Sequence, residues 1–239
     1  DKHALMTSDG TTTHLIAGNS AQWGYREGVG AEARFDLITG FAQTSEKRVV
    51  VAETNNDCMR LIDRVSNTTS VFSGQCESCR DRYGRRRFSY TWSVLMDQRD
   101  KNQLLITDCY NKAVSTVDVM SRAVCTFVKS DSINYITGIT QDEKSGDLIF
   151  TADNAAYRIT YIQRTVSLIS GSAGSNSRGY SDSIMLDSLF NYPEALIFIA
   201  PHVLLIADYY NNKLRLIDMN SDKVTTLNVT NSLFSPRSL

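Results

Sequence analysis

The sequence predicts an all-β protein built from repeated four-stranded antiparallel sheets, and three of its features point there. An acidic residue stands ten positions before the end of a short apolar run four times over: Glu53 to Asp63 (ETNNDCMRLID), Asp108 to Asp118 (DCYNKAVSTVD), Asp153 to Gln163 (DNAAYRITYIQ) and Asp208 to Asp218 (DYYNNKLRLID). The copies begin at intervals of 55, 45 and 55 residues, the spacing of supersecondary units that are stacked or arranged radially. No stretch of 12 residues carries a convincing helical period, whereas β-branched and aromatic residues fill runs of four or five.

Each unit resolves into four strand segments. In the first these are 38–42, 48–52, 58–62 and 69–73; in the fourth they are 195–199, 203–207, 214–217 and 223–227. The second segment is the most continuously apolar (Val49 to Ala52, Leu104 to Ile106, Leu148 to Phe150, Leu204 to Ile206), which suits a strand covered on both faces. Polar turns such as Arg64-Val65-Ser66-Asn67 and Met219-Asn220-Ser221-Asp222 join the third and fourth segments. A connector recurs between units. Leu15 to Gly18 leads into Gly24-Tyr25-Arg26-Glu27-Gly28 and Phe35, and Leu168 to Gly171 leads into Gly179-Tyr180-Ser181-Asp182-Ser183 and Phe190. The closing aromatic recurs as Phe88 and Phe234, with Ile133 in the remaining slot, an apolar anchor between sheets. Residues 129–133 are too few for the glycine loop, so the 45-residue interval is a shortened connector and not a lost strand.

These residues resemble the NHL-repeat family of β-propellers. The resemblance rests on the G-Y-x-[DE]-G…F connector, the [AT]-[DE]-x-x-N-x-x-[IL]-R-x-[IL]-D core and the Val/Thr-rich closing strand. It is looser in unit two and most degenerate in unit three, where Asn154-Ala155-Ala156-Tyr157 replaces the signature. It implies one extracellular propeller domain over 1–239, with blades near 37–74, 90–129, 134–171 and 192–229. Residues 1–18 and 230–239 form partial blades, and the whole is expected to be a segment of a longer protein.

Composition is that of an ordinary globular chain: 239 residues, 42% hydrophobic, 21% charged, three prolines and 13 glycines. A net charge of −1 gives no electrostatic footprint for nucleic acid. The longest apolar runs are strand-sized, so this segment is not expected to insert into a membrane as a helix.

Five cysteines bear on the compartment. Cys58–Cys76 and Cys109–Cys125 are the expected disulfides, with Cys79 left over or exchanging with Cys76. Buried thiols and a Cys76-x-x-Cys79 metal or redox pair are the alternatives, the second lacking a further CxxC or a neighbouring histidine. Acceptor tripeptides for N-glycosylation begin at Asn67 and Asn228. Together these favour the secretory pathway and an extracellular or cell-surface location.

Little in the sequence is catalytic. His3, His14 and His202 fall at unrelated repeat positions, which argues against a three-histidine zinc site such as that of the amidating lyases whose propeller this family resembles. The repeated acids Glu53, Asp108, Asp153 and Asp208 are expected to accept backbone hydrogen bonds at the turn after the second strand, and Asp63, Asp118 and Asp218 to do so in the hairpin that follows. One connector breaks the pattern: Arg80, Arg82, Tyr83, Arg85, Arg86 and Arg87 form either a solvated loop, an anion- or partner-binding patch, or a processing site. The expected function is a non-enzymatic interaction or scaffold module, without a cofactor or a catalytic residue. It would present loops to a protein or anionic-glycan partner and fit within a larger assembly. The alternative is a propeller hydrolase or lyase with a metal or acidic site at the central channel.

Overall fold

A computed structural model describes residues 2–74, 88–174, 177–229 and 236. It contains nineteen strands: β1 (Ala4–Ser8), β2 (Thr13–Gly18), β3 (Gly28–Val29), β4 (Ile38–Ser45), β5 (Arg48–Glu53), β6 (Cys58–Asp63), β7 (Thr68–Gly74), β8 (Thr91–Met96), β9 (Gln103–Asp108), β10 (Ala113–Asp118), β11 (Val124–Lys129), β12 (Ile136–Gln141), β13 (Leu148–Ala152), β14 (Ala155–Ile159), β15 (Val166–Gly171), β16 (Pro193–Ala200), β17 (Val203–Asp208), β18 (Lys213–Asp218) and β19 (Lys223–Thr226). Short 3-10 turns at Gly30–Glu32, Met185–Asp187 and Tyr209–Asn211 are the helical elements among the described residues. The chain divides into two compact units, 1–126 and 127–239.

Pairing follows chain order. The first unit holds the hairpin β1–β2, a first blade ordered β4-β5-β6-β7 with β3 added outside β7, and a second blade β8-β9-β10-β11 whose last strand crosses the unit boundary. The second unit holds a third blade, β12-β13-β14-β15, and a fourth, β16-β17-β18-β19. The second strand of each blade is the buried one: Val50, Val51 and Ala52 in β5, Leu104 to Ile106 in β9, Leu148 to Phe150 in β13, Leu204 and Ile206 in β17. An apolar run without alternation is what a strand needs when both its faces meet side chains. The connector anchors Phe35, Phe88, Phe190 and Ile133 are all buried.

The hairpin β1–β2 is the outer half of a blade. Ala4 pairs with Gly18 as Cys58 pairs with Gly74 and Ala155 with Gly171. Each of those glycines has positive φ, and a β-carbon on it would lie 2.9–3.0 Å from the ring of Phe35, Phe88 or Phe190. The closing glycine therefore sets how deeply the connector aromatic seats.

Within each unit the first strands of successive blades touch backbone to backbone. A β-carbon on Gly40 would stand 2.9 Å from Ser93 Cα, and one on Gly138 would stand 2.9 Å from Ala195 Cα. Thr54 Oγ1 donates to Thr91 O at 2.6 Å and Thr137 Oγ1 to Pro193 O at 2.9 Å, joining the same blade pairs. Gly138→Ala forces a methyl into backbone, so it should cost about 1–3 kcal/mol. Urea unfolding should show the lower midpoint.

Candidate binding face and the latch beneath it

The repeated acids do more than serve the turn that follows them, where Asp108 accepts the Asn111 N–H. Each reaches back to the connector entering its own blade and accepts the N–H next to the anchor residue. Glu53 Oε1 takes the Asp36 N–H at 2.7 Å, Asp108 Oδ1 that of Ser89 at 2.8 Å, Asp153 Oδ2 that of Asn134 at 3.0 Å and Asp208 Oδ1 that of Asn191 at 2.8 Å. The signature asparagines Asn56, Asn111 and Asn211 donate to three of these carboxylates.

Blades one and four add a buried arginine. Arg60 Nη1 meets Glu53 Oε2 at 3.0 Å, and Nη2 donates to Arg26 O at 3.0 Å. Arg215 Nη1 meets Asp208 Oδ2 at 2.8 Å and donates to Leu189 O at 3.0 Å, while Nη2 reaches Ser181 O and Asp182 Oδ1, both at 2.7 Å. The guanidinium groups lie over connector aromatics, Tyr25 and Phe35 in one blade, Tyr180 and Phe190 in the other. Each arginine therefore clamps the whole connector onto its blade. Removing one partner of such a buried pair strands the other without compensation. Asp208→Ala should lower unfolding stability by about 3–5 kcal/mol, with Asp208→Leu/Arg215→Met losing much less; chemical denaturation of the two variants measures the difference.

Burial pushes the Glu53 and Asp208 carboxyls above the usual range in spite of their arginines. Blade two has Ser115 in place of the arginine, and burial, aided by the charge of Asp57, raises Asp108 to about 6. The surface aspartates behave oppositely. Backbone N–H groups in the hairpin turns hold Asp63 and Asp118 below the ordinary value, and the Ser221 hydroxyl, then the Asn220 N–H, do the same for Asp218. For Asp108 the unfolded chain ionises first as pH rises from about 4, so stability falls until the folded carboxyl ionises near pH 6 and is level above it. The loss is on the order of 3 kcal/mol. Denaturation midpoints between pH 4 and 7 should decline in the parent and decline less in Asp108→Asn.

Directly above the latch, the next residue has left-handed backbone in every blade: Leu37 (φ 61°), Tyr90 (63°), Tyr135 (47°) and Tyr192 (50°). Its own N–H points to the preceding sheet, meeting His3 Nδ1 (from Leu37, 3.5 Å), Asp57 Oδ1 (from Tyr90, 2.6 Å) or Asn154 Oδ1 (from Tyr192, 3.2 Å). Glycine or asparagine would take this conformation with less strain, yet three of the four are tyrosine. Their rings gather. In the first unit Tyr90 stacks on Tyr110 at 4.8 Å, with Trp92 at 5.8 Å. In the second, Tyr135, Tyr192, Tyr210 and Tyr209 form a chain of rings with centroids 6.1, 5.4 and 4.6 Å apart. Tyr110 (56% exposed), Tyr210 (58%) and Tyr135 (44%) present much of their surface to solvent. Tyr110 and Tyr210 hold one repeat position, two after the acid. The recurrence of DCYN and DYYN was the available signal, and the strand pattern alone did not single it out.

The residues singled out from sequence fall as follows. Cys109 and Cys125 are not joined in a disulfide, correcting the expected pairing. Cys109 follows β9 and Cys125 lies in β11, with β10 between them. Two strand spacings place such residues roughly 9–10 Å apart before any offset along the strands, beyond disulfide reach. Cys58 is buried at the head of β6 and is not one of the free thiols. Cys76, Cys79 and the whole arginine segment Arg80 to Arg87 lie outside the described residues. Asn67 is exposed in the β6–β7 turn with φ 55°, and Asn228 is exposed beyond β19. Among the described residues no three His, Cys, Asp or Glu side chains group as a metal site would require, and no helix is long and apolar enough to cross a membrane.

No family model and no curated protein matches the sequence. Solved structures do. The chain is similar to one in a nidogen/laminin complex (TM-score 0.66, 12% identity, 97% of this chain and 75% of that one). It is also similar to an auxiliary nutrient binding protein from Bacteroides ovatus (0.56, 12%, 91% and 67%) and to virginiamycin B lyase from Staphylococcus aureus (0.56, 14%, 85% and 59%). These likenesses show the fold, which is a β-propeller of four-stranded antiparallel blades.

Proposed function

We propose that this propeller is a non-enzymatic binding module of NHL type, working outside the cell or on its surface, with its exposed tyrosines docking a protein partner. The observation that carries this is the strained tyrosine set. A backbone position that disfavours side chains is occupied three times in four by a residue type enriched at recognition hot spots, and two of those rings, Tyr90 and Tyr192, pack against the exposed Tyr110 and Tyr210. Structural demand accounts for the left-handed turn but not for the ring placed on it.

The chemistry beneath the face supports binding over catalysis. Every repeated acid is engaged with backbone, and two are also paired with arginine. A hydrolase or lyase would draw its acid or metal ligands from groups of this kind, and these are committed to the fold. The nidogen/laminin and nutrient-binding likenesses are compatible with a binding role, and the lyase likeness keeps the alternative concrete enough to test.

The extracellular part rests on Cys58 and the two acceptor asparagines. Cys58 is assigned Cys76 as its disulfide partner, and Asn67 and Asn228 are exposed for glycosylation. The arginine segment 80–87 remains a candidate for an anionic-glycan contact within the same module.

The test is a biosensor screen of the purified protein against extracellular domains and sulfated glycans. A partner is expected whose affinity falls tenfold or more on Tyr110→Ala or Tyr210→Ala and is unaffected by Val65→Ala, an exposed hairpin residue. Partners indifferent to all the tyrosines, or metal-dependent turnover by the purified protein, would overturn the proposal.

A further inference from the structure

Blades one and four cover their outer strands with their own connectors, and they do so by one device. Gly28 and Val29 pair with Thr69 and Thr68 of β7, and Glu27 Oε1 accepts the Val71 N–H at 2.8 Å. In blade four, Ile184 bridges Lys223, the Val224 N–H donates to Ser183 O at 2.8 Å, and Asp182 Oδ2 accepts the Thr226 N–H at 3.0 Å. The added segment reads acid–small–β-branched in both: Glu27-Gly28-Val29 and Asp182-Ser183-Ile184. Its carboxylate meets the outer-strand residue that faces the buried arginine, since Val71 pairs with Arg60 and Thr226 with Arg215.

Blade three lacks this cover. Residues 129–133 close on themselves (Ile133 N–H to Ser130 O), and among the described residues β15 ends its sheet with no strand or bridge beyond it. Register identifies what is left open. Leu168 pairs with Tyr157 just past the bulge in β14, as Val71 pairs with Arg60 just past the bulge in β6. The Leu168 amide is thus the counterpart of the Val71 and Thr226 amides that connector acids cap elsewhere.

A cavity of about 460 Å³ opens along this edge. Three consecutive residues of β15, Ser167, Leu168 and Ile169, line it, so strand backbone as well as side chains borders it. Ile184, Met185 and Met219 form much of the apolar wall, with Ile184 55% and Leu168 37% exposed. Arg158, beside Ser167 in register, lines it too. Its buried Nε is ion-paired with Asp147 Oδ2 at 3.8 Å, and the side chain as a whole is 42% exposed. An exposed cationic group beside an uncapped strand edge complements an incoming acid.

We infer that the outer edge of β15 is a β-augmentation site for an extended segment of a partner protein, reading acid–small–β-branched. In the register of Glu27-Gly28-Val29 on β7, the backbone of that segment pairs with residues 165–166, its carboxylate takes the Leu168 N–H beside Arg158, and its branched side chain reaches into the cavity from that end. The protein's own connectors define the ligand, because they occupy the equivalent edge twice. The inference rests on the binding-module proposal but uses a surface separate from the tyrosines.

The probe is the synthetic heptapeptide of residues 24–30, Gly-Tyr-Arg-Glu-Gly-Val-Gly, titrated into isotope-labelled protein and followed by amide NMR. Dissociation constants between about 10 μM and 1 mM are expected for so short an added strand, with shifts at residues 165–168 and slowed exchange of the Leu168 amide. The peptide carrying Glu27→Gln and the protein variant Arg158→Gln should each weaken binding at least fivefold. Ile184→Lys, at an exposed position that leaves the fold intact, should abolish entry into the cavity. No shift at β15 with 2 mM peptide, a concentration chosen at roughly twice the weakest expected constant, would overturn the inference. So would binding indifferent to all three changes, or protection of the Leu168 amide by concentration-dependent self-association, which would give the edge to a second copy. Tyr110→Ala and Tyr210→Ala should leave peptide binding unchanged, so failure here and failure of the tyrosine face are told apart.

Discussion

The structure depends on two consecutive backbone N–H groups at the mouth of each blade. The first, just after the connector anchor, enters the carboxylate that ends the second strand of its own blade. The second, one residue on, meets the segment leading into the third strand of the preceding sheet at Asp57 or Asn154, or His3 just before β1. Aiming two successive donors at different sheets goes with a reversal of backbone hand between them, as at Leu37, Tyr90 and Tyr192, and Tyr135 shares the positive φ. An unpaired buried amide costs more than one strained dihedral returns when relaxed. The strain is therefore a consequence of hydrogen-bond satisfaction and recurs wherever the repeat does.

This constraint explains which substitutions the repeat tolerates. The arginine can be absent, as in blades two and three, because it reinforces the connector without making the primary bond. The asparagine can be absent, as in blade three. The acid cannot, since Asn134 still donates to Asp153 in the most degenerate blade. Connector length is free as well. Shortening it removes the outer-edge cover and the clamp, and leaves the anchor and its N–H in place.

Strand positions were legible in the sequence because burial on two faces leaves a continuous apolar run and turns need polar, short side chains. The connector was legible for the same reason: Phe35, Phe88 and Phe190 each lead into the same geometry. The acceptor role of the acids was legible, but not the donor, because an acid at residue 53 bonding the N–H of residue 36 is a long-range relation that local turn chemistry does not encode. The Cys109–Cys125 pairing failed on a related point. Both fall in one blade, yet strand order puts β10 between them, and co-residence in a sheet is weaker than adjacency. The tyrosines escaped notice since a propensity scan treats an exposed aromatic near a turn as unremarkable surface. Only the backbone angle shows that glycine or asparagine would have suited the position better.

The two recognition surfaces answer different physical problems. At the blade mouths the fold imposes a costly conformation on every repeat, and the chain places on it a rigid, amphipathic ring with few rotamers to lose on binding. At β15 the fold leaves a backbone edge uncovered, a situation natural sheets usually block with charge, proline or a covering loop. Among the described residues, blades one and four use a loop there, so the device was available to this chain. In blade three the loop is missing, a cavity lies beside the edge, and a part-exposed guanidinium lines it. An exposed edge with no ligand would invite indiscriminate strand pairing. The requirement for a carboxylate at Leu168 and a branched side chain in the cavity restricts that pairing to segments resembling the connectors that the same chain already carries.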